Sequence, residues 1–453
     1  MEEEKVYQCD FCKQIINEDS DNFLIYGADD TAICYHCVLS LHEQSQTYAY
    51  DDTVEAVEES VEPETKPQRK IKPSMIKQYL DHYVIGQDKA KRMLSVAIYN
   101  HYKMIAIKHD YEKRGEKPPV ELQKSCILLT GPTGSGKSYT IKSLAKELGV
   151  PFVSVDITSY TSAGYVGRDV ETILSDLVAA ANGNIAKAEQ GIIFIDEVDK
   201  ISKRGGTART GVDPGHEGVQ QALLKMVEGS HVELPSKKRA LLDAGSNTTI
   251  NTENILFVCG GAFDGIEKII KKRLATTGKE VTGIGFNSKL EANNKKEYND
   301  YILHIKTEDL KEYGMIPEFL GRFPVVCPLQ ELTEKELVTI LTEPKNALVK
   351  QYQELFNKDN IALELSEEAL LSVARQAKAY KTGARGLRSI MEQILSPVVY
   401  HIPDIEGVKE IYIDATTEDE EKTNYSVRLT LENNATNSFL LSELDKNKEC
   451  MKG

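Results

Sequence analysis

The stretch Gly131–Ser138 constrains the fold of this chain most strongly, because it has the pattern G-x-x-x-x-G-K-S. An apolar run at 126–129 predicts a strand before it, and residues 139–145 predict a helix after it. In that context the pattern indicates a P-loop, whose backbone N–H groups surround phosphates. Lys137 is placed to pair with the β- and γ-phosphates of a nucleoside triphosphate, and Ser138 is placed to hold Mg²⁺. The predicted nucleotide-binding residues of this stretch are Gly131, Pro132, Thr133, Gly134, Ser135, Gly136, Lys137, Ser138 and Tyr139.

Two adjacent carboxylates, Asp196 and Glu197, end a second apolar run at 191–195. At the carboxyl end of a parallel strand they would face the crevice that contains the P-loop. Asp196 would support Mg²⁺, and Glu197 would orient or deprotonate the attacking water. An Asp-Glu pair at a strand end is more often a simple boundary, but a P-loop upstream favours nucleotide hydrolysis.

The alternation of short apolar strands with helical segments predicts an α/β domain over residues 71–324. Its parallel sheet would be covered by helices on both faces. After Pro324 the pattern changes, and we expect a smaller, α-rich domain at 325–432 and a disordered tail at 433–453. The segments predicted in the smaller domain are helices at 333–357, 366–379 and 385–396 and possible strands at 410–413 and 425–431.

Two Cys-x-x-Cys pairs lie near the N-terminus, formed by Cys9 with Cys12 and by Cys34 with Cys37. Their spacing is typical of a site in which four thiolates hold one tetrahedral Zn²⁺. Two disulfides are the alternative, which a cytoplasmic location disfavours. A domain of residues 1–45 has too little core to fold without such a metal. Its apolar residues exceed what one zinc site can bury, so we expect dimerisation or a partner surface.

The charge of the chain is concentrated at its N-terminal end. Residues 1–64 contain seventeen acidic and two basic side chains, which accounts for the whole net charge of −15. This balance disfavours nucleic-acid binding there, because phosphate backbones would be repelled. Residues 46–70 predict an acidic linker with too few apolar groups to form a core. The sequence predicts neither a membrane span nor a signal peptide, so a cytoplasmic location is expected.

The segment Gly164–Gly167 places Tyr165 and Val166 between two glycines in a predicted loop. One interpretation is a turn whose tyrosine and valine pack into the core. The other is a mobile loop that presents both side chains to a partner. The pattern alone favours neither.

Taken together, the motifs of this chain resemble the ClpX family of AAA+ unfoldases, over residues 7–415. The four-cysteine segment also looks like the zinc domain of that family. The resemblance implies a large AAA+ domain at 71–324, a small AAA+ domain after it, and ATP, Mg²⁺ and Zn²⁺ as cofactors. The motifs that carry it are the P-loop and residues 84–91, 164–170, 191–199, 218–224, 316–322 and 381–389.

The resemblance also implies roles for four residues whose pattern alone says little. Val84 and Ile85 match the family positions that hold adenine between apolar side chains. Arg322 matches the arginine finger, which stabilises charge on the transferring phosphoryl group in a neighbouring subunit's site. Arg385 matches the sensor arginine of the small domain. A finger that acts in trans implies a ring, which in the family is a homohexamer.

Two loops complete the resemblance. Tyr165 and Val166 match the pore loop that grips polypeptide, and aromatic contacts are largely indifferent to the sequence they hold. Ile284, Gly285 and Phe286 match the loop that docks on the ClpP peptidase, and an apolar tripeptide in a polar stretch suits such an anchor. The resemblance therefore implies an ATP-dependent unfoldase and polypeptide translocase that recognises substrates or adaptors and feeds them to ClpP.

Two departures from the family pattern concern substrate choice. Arg168 follows the pore-loop motif where the family usually has an acidic residue, which favours a more positive pore and acidic substrates. The Arg-Lys-His loop of familiar members is replaced by residues 234–240, which read LPSKKRA. The substrate preference of the family therefore does not transfer to this chain.

Two other functions stay open on the sequence. A free-standing remodeller would use the same ATPase without a peptidase, and the tripeptide Ile284–Phe286 disfavours that as its only role. A zinc-dependent nucleic-acid-binding ATPase is disfavoured by the acidic charge around the cysteines. The sequence shows neither a Ser/His/Asp constellation nor an HExxH motif, so we do not expect the chain itself to be a peptidase.

Overall fold

The computed structural model divides the chain into two compact units, residues 1–70 and 71–453. The residues that it describes are 7–9, 11–12, 15–16, 24–26, 32–34, 36–37, 72–161, 168–202, 217–234, 249–276, 294–402, 405–419 and 422–441. Among these residues, no helix combines the length and the apolar character that crossing a membrane requires.

The N-terminal unit contains two antiparallel pairs of short strands. Strand β1 (Tyr7–Gln8) pairs with β2 (Ile15–Ile16), and β3 (Leu24–Tyr26) pairs with β4 (Ala32–Cys34). The first Cys-x-x-Cys pair lies between β1 and β2, and the second begins at the last residue of β4. Both cysteine pairs thus lie next to a strand pair.

The second unit is built on a five-stranded parallel sheet, as predicted. The order of its strands is β13-β5-β12-β9-β6. Because neighbouring side chains of a strand point to opposite faces, Leu128 and Ile193 enter one apolar core, while Leu129 and Phe194 enter another. The strands are β5 (Ile127–Thr130), β6 (Phe152–Asp156), β9 (Ile192–Asp196), β12 (Leu256–Gly261) and β13 (Val325–Pro328).

In the described residues of the large domain, ten helices accompany this sheet. Helix α1 begins at Pro73, where the fixed φ of proline suits the first helical position. Two short strand pairs lie outside the main sheet: β7 (Tyr160–Thr161) with β8 (Arg168–Asp169), and β10 (His231–Glu233) with β11 (Thr249–Asn251). The helices are α1 (Pro73–Asp81), α2 (Asp88–Lys113), α3 (Lys137–Leu148), α4 (Thr172–Ala180), α5 (Ile185–Ala188), α6 (Glu217–Val227), α7 (Ile266–Thr276), α8 (Asn294–Ile302), α9 (Thr307–Tyr313) and α10 (Pro317–Arg322).

In the described residues of the small domain, four helices accompany a four-stranded sheet with the strand order β14-β15-β16-β17. Helices and strands share one apolar core, which includes Leu337, Met391 and Ile411. The helices are α11 (Glu334–Thr342), α12 (Leu348–Asn357), α13 (Glu367–Ala379) and α14 (Ala384–His401). The strands are β14 (Ala362–Leu365), β15 (Val408–Asp419), β16 (Lys422–Leu431) and β17 (Thr436–Leu440).

Three details of the predicted small domain were wrong. Residues 325–328 form β13, which pairs with β5 and so belongs to the large domain. The helix predicted at 333–357 is two helices with Pro344 between them, because proline lacks the N–H that a continuous helix needs. The expected tail begins with an ordered strand, since β17 pairs with β16.

Candidate nucleotide-binding site

The P-loop has the predicted position, between β5 and the first turn of α3. Gly134 and Gly136 have φ of +77° and +96°, a region that L side chains rarely adopt. These two glycines let the backbone turn back on itself in front of the N-terminus of α3. Backbone N–H groups at a helix N-terminus favour bound anions.

Lys137 is buried beneath this loop. Its Nζ donates to the carbonyl oxygens of Gly131 at 2.6 Å and Pro132 at 3.0 Å. Burial lowers the pKa of Lys137, while the charge of Asp196 opposes that shift. The ammonium group is therefore held at the loop, where a phosphate would be a stronger acceptor than either carbonyl.

Ser138 and the two predicted carboxylates meet at the end of β9. The Oγ of Ser138 donates to Oδ2 of Asp196 at 2.8 Å. Glu197 follows in the left-handed region, with φ of +59°, and its backbone N–H donates to Oδ1 of Asp196 at 3.0 Å. A non-glycine residue in that region is uncommon, and such strain often lies at functional sites. The turn directs Asp196 and Glu197 to the same cavity as the P-loop.

The small domain closes the site from the other side. The backbone N–H of Ala384 donates to the carbonyl oxygen of Gly134 at 3.1 Å. The next residue, Arg385, lies 3.8 Å from Oδ2 of Asp196, measured from its terminal nitrogen. Arg385 is thus brought together with the predicted Mg²⁺ ligand of the large domain.

These groups line a cavity of about 770 Å³ whose lining is both polar and apolar. Its polar residues include Lys137, Ser138, Asp196 and Glu197, and Tyr139 also lines the cavity. Its apolar lining comes from both domains, through Tyr83, Val84, Ile85, Leu332, Ile340 and Leu348. Apolar side chains together with a phosphate-binding loop fit a nucleotide, which has an apolar base and charged phosphates. The hydroxyl of Ser138 and the carboxylate of Asp196 are the oxygen ligands that Mg²⁺ prefers.

Arg322 does not line the cavity of its own chain in the described part of the structure. It is the last residue of α10, about half exposed, and forms an ion pair of 2.7 Å with Glu228. Of the two arginines that the sequence singled out, Arg385 lines the cavity and Arg322 lies outside it. Its predicted role in a neighbouring subunit stays a prediction.

Asp199 is a cavity residue that the sequence reasoning missed. It is buried in a short 3₁₀ turn, Val198–Ile201, and its Oδ1 accepts from the backbone N–H of Ala262 at 3.0 Å. The contact joins the turn after β9 to the residue that follows β12. The only signal for Asp199 was its place at the end of residues 191–199, one of the motifs that carry the family resemblance.

The four N-terminal cysteines form a second candidate site. Their Sγ atoms all lie within 4.8 Å of one another, and all four thiols are free. The Sγ atoms of Cys9 and Cys37 are 4.0 Å apart, and those of Cys12 and Cys34 are 3.8 Å apart. Four ligands about 2.3 Å from a central zinc would have edges of roughly 3.8 Å. The arrangement fits zinc and not disulfides, whose sulfur atoms are about 2 Å apart.

Backbone N–H groups favour the thiolate form of Cys9. Although burial opposes the shift, donors from Cys12, Cys34 and Phe11 lower the pKa of Cys9 to about 6. The N–H of Cys34 donates to its Sγ at 3.1 Å. Thiolates are the form in which cysteine binds zinc.

Several predicted residues lie outside the described residues. They are the pore residues Tyr165 and Val166 and the docking residues Ile284, Gly285 and Phe286. Arg168, at the end of the pore segment, is described: it pairs with Asp176 at 2.8 Å, and its guanidinium lies 5.2 Å from the ring centre of Tyr160. Its charge is therefore partly offset within its own subunit.

Family models match both parts of the second unit. Residues 122–326 match the AAA domain of the Cdc48 subfamily. Residues 332–403 match the C-terminal, D2-small domain of ClpB protein. The boundary between the matches falls where β13 ends and the small domain begins.

Relatives match the chain over most of its length. A protein of Treponema denticola named ATP-dependent Clp protease ATP-binding subunit ClpX is 42% identical over 410 residues, or 90% of this chain and 92% of the relative. A protein of the same name from Borrelia duttonii is 42% identical over 90% of each chain. One from Methylococcus capsulatus, named ClpX 3, is 42% identical over 92% of this chain and 93% of the relative.

Proposed function

Because the chain belongs to the ClpX family of AAA+ ATPases, we propose that it is an ATP-dependent protein unfoldase and polypeptide translocase. It recognises substrates or adaptors and feeds unfolded chains to a ClpP peptidase. The observation that carries the proposal is the cavity lined by both AAA+ domains, in which Arg385 approaches Asp196. ATP bound in this cavity would contact both domains, so its hydrolysis can move the small domain relative to the large domain.

Seven residues of the cavity have a proposed task in ATP hydrolysis. Val84 and Ile85 hold the adenine, and Lys137 pairs with the outer phosphates. Ser138 and Asp196 hold Mg²⁺, which offsets phosphate charge when bound. Glu197 orients the attacking water and accepts its proton. Arg385 stabilises negative charge on the phosphates from the small domain.

We propose that six copies form a ring in which Arg322 completes the site of the adjacent subunit. Its guanidinium is exposed at the end of α10 and outside the cavity of its own chain, which suits a role in trans. Within its own subunit the guanidinium pairs with Glu228 at 2.7 Å, and a phosphate of the neighbouring site would replace that partner.

The remaining tasks are assigned to the loops and the N-terminal unit. Tyr165 and Val166 grip the polypeptide in the pore of the ring, and Ile284, Gly285 and Phe286 dock on ClpP. The zinc-binding unit, which we propose to dimerise, receives substrates or adaptors. The complex acts in the cytoplasm on protein substrates and requires neither nucleic acid nor a membrane.

The substitution Glu197→Gln tests the hydrolytic part of the proposal. Without a general base, kcat for ATP hydrolysis should fall by a factor of about 100 or more, while ATP affinity stays within about threefold. Glu354→Gln is the matched control, because Glu354 is exposed on α12. Normal hydrolysis by Glu197→Gln would show that the carboxylate is misassigned.

Mixing the chain with the ClpP of the same organism, ATP and a tagged folded substrate tests the mechanical part. We expect ATP-dependent degradation of the substrate. Unfolding without degradation would favour a free-standing remodeller instead. Hydrolysis of ATP with neither outcome would refute the unfoldase proposal.

A further inference from the structure

Five residues, 329–333, connect the last strand of the large domain to the first helix of the small domain. Leu329 belongs to the large domain, since its backbone N–H donates to the carbonyl oxygen of Thr130 at 2.7 Å. Thr333 belongs to the small domain, because it caps α11: its Oγ1 accepts from the N–H of Glu336 at 3.2 Å. Three residues therefore lie between the two domains.

The first of these, Gln330, is held by the side-chain amide of Gln87. Nε2 of Gln87 donates to the carbonyl oxygen of Gln330 at 2.8 Å, and the N–H of Gln330 donates to Oε1 of Gln87 at 2.8 Å. Gln87 is buried and its backbone is left-handed, with φ of +58°. A strained residue thus directs a buried amide at the connection.

The second residue, Glu331, is held in the same way by Asn299 of α8. Nδ2 of Asn299 donates to the carbonyl oxygen of Glu331 at 3.1 Å, and the N–H of Glu331 donates to Oδ1 of Asn299 at 2.6 Å. Two consecutive backbone units therefore have both their donor and their acceptor satisfied by side chains of the large domain. A primary amide is needed at each position, because a carboxylate cannot donate.

We propose that Gln87 and Asn299 are positioning residues that clamp Gln330 and Glu331 to the large domain and confine the interdomain rotation to Leu332. Leu332 lines the nucleotide cavity and packs in the core of the small domain, so the residue of the connection without an amide clamp is also the one beside the ligand. The clamp gives the small domain a fixed pivot at Leu332. When the nucleotide draws the two domains together, the small domain then rotates in one defined direction. This inference rests on the proposed ATP-driven function.

Backbone hydrogen exchange tests the clamp without any substrate. In the full-length protein, Gln87→Ala and Asn299→Ala should each speed exchange of the peptide that covers 329–333 by about tenfold or more. Gln87→Glu and Asn299→Asp keep the shape and the acceptor but lose the donor, and they should have intermediate effects. Gln353→Ala is the control, since it removes one amide–backbone bond to Leu363 within the small domain. Unchanged exchange in the Ala variants would overturn the clamp.

The energetic consequence is measured as ATP consumed for each substrate molecule unfolded. We expect the double variant Gln87→Ala/Asn299→Ala to hydrolyse ATP within about twofold of the wild-type rate and to consume about fivefold more ATP per unfolded substrate. A parallel fall of hydrolysis and unfolding, or an unchanged ratio, would show that the two amides only support the fold. If the wild type itself unfolds no substrate, the proposed function fails, and hydrogen exchange still decides the clamp.

Discussion

The backbone N–H of Ala384 donates to the carbonyl oxygen of Gly134, so the small domain contacts the P-loop through its main chain. The approach is close: a Cβ on Gly134 would overlap the Thr382 carbonyl oxygen and lie 2.8 Å from Cα of Gly383. The absence of a side chain at Gly134 therefore permits two things: the tight turn of the P-loop and the close contact with the small domain.

The substitution Gly134→Ala should therefore separate the small domain from the P-loop. We expect ATP affinity to fall by about tenfold or more, because the two walls of the cavity no longer meet. Calorimetric titration with ATP, together with denaturant unfolding without nucleotide, measures both effects.

Gly149→Ala is the matched control for this change. Gly149 has φ of +67°, like Gly134, but a Cβ there would meet no atom within 4 Å. Gly149→Ala should lower the free energy of unfolding by about 1–2 kcal/mol, because alanine is strained in the left-handed region. It should leave ATP affinity unchanged. Equal losses of stability and affinity in the two variants would contradict the proposed contact.

The location of the candidate nucleotide site was predictable because its signals are local. The P-loop, Asp196 and Glu197 each follow an apolar strand, and the carboxyl ends of parallel strands meet at one edge of the sheet. The α/β class followed from the same alternation and is confirmed by the five-stranded parallel sheet. The cysteine spacing likewise predicted the cluster that the structure shows.

The sequence could not predict contacts between residues that are far apart along the chain. Gln87 and Gln330 are separated by 243 positions, and neither belongs to a pattern that predicts a contact. No pattern in the sequence predicts that Asp199 accepts a hydrogen bond from the backbone N–H of Ala262. The boundary at 325 was misplaced because the proline at 324 marks the start of a strand as well as the end of a helix.

The N-terminal cysteines should bind about one Zn²⁺ for each chain. Since so small a unit depends on its metal, a chelator should remove hydrogen-exchange protection from residues 7–37 and leave residues 71–453 unchanged. Elemental analysis and exchange mass spectrometry check the two expectations.

Cys12→Ser should lower the zinc content, whereas Cys450→Ser should not, because Cys450 lies outside the two Cys-x-x-Cys pairs. Alkylation of the denatured protein without reductant gives a separate check. Four cysteines protected from alkylation would indicate disulfides and contradict the zinc assignment.

His101 should make the second unit less stable in acid. The ring is buried on α2 and its Nε2 contacts the carbonyl oxygen of Asn254 at 3.0 Å. Burial lowers the pKa of His101 to about 4, from 6.5. Because the unfolded chain gains the proton first, the stabilisation is complete above pH 6.5 and is lost as the pH falls towards 4.

Between about pH 7.5 and about pH 5, His101 should account for roughly 2 kcal/mol of lost free energy of unfolding. His101→Gln should remove that part of the pH dependence, as measured by urea unfolding at both pH values. His109→Gln changes an exposed histidine of the same helix and should leave the dependence intact. The same slope in His101→Gln and the wild type would exclude His101 as its source.

The ion pair between Arg168 and Asp176 changes the expected effect of the substitution Arg168→Glu on substrate unfolding. The sequence alone favours a more positive pore, in which Arg168→Glu would slow unfolding of acidic-tailed substrates more than basic-tailed ones. The structure gives the guanidinium of Arg168 an anionic partner, Asp176, and a contact with the ring of Tyr160. Arg168→Glu would place two carboxylates together, so we expect slower unfolding with both kinds of tail.

The double variant Arg168→Asp/Asp176→Arg restores an ion pair with its charges exchanged. If the pair supports the loop, this variant should recover at least about half of the unfolding rate that Arg168→Glu loses, for acidic and basic tails alike. Unfolding rates of one folded substrate with either tail, at saturating ATP, provide the measurement. A selective loss with acidic tails that persists in the double variant would instead assign Arg168 to the charge of the pore.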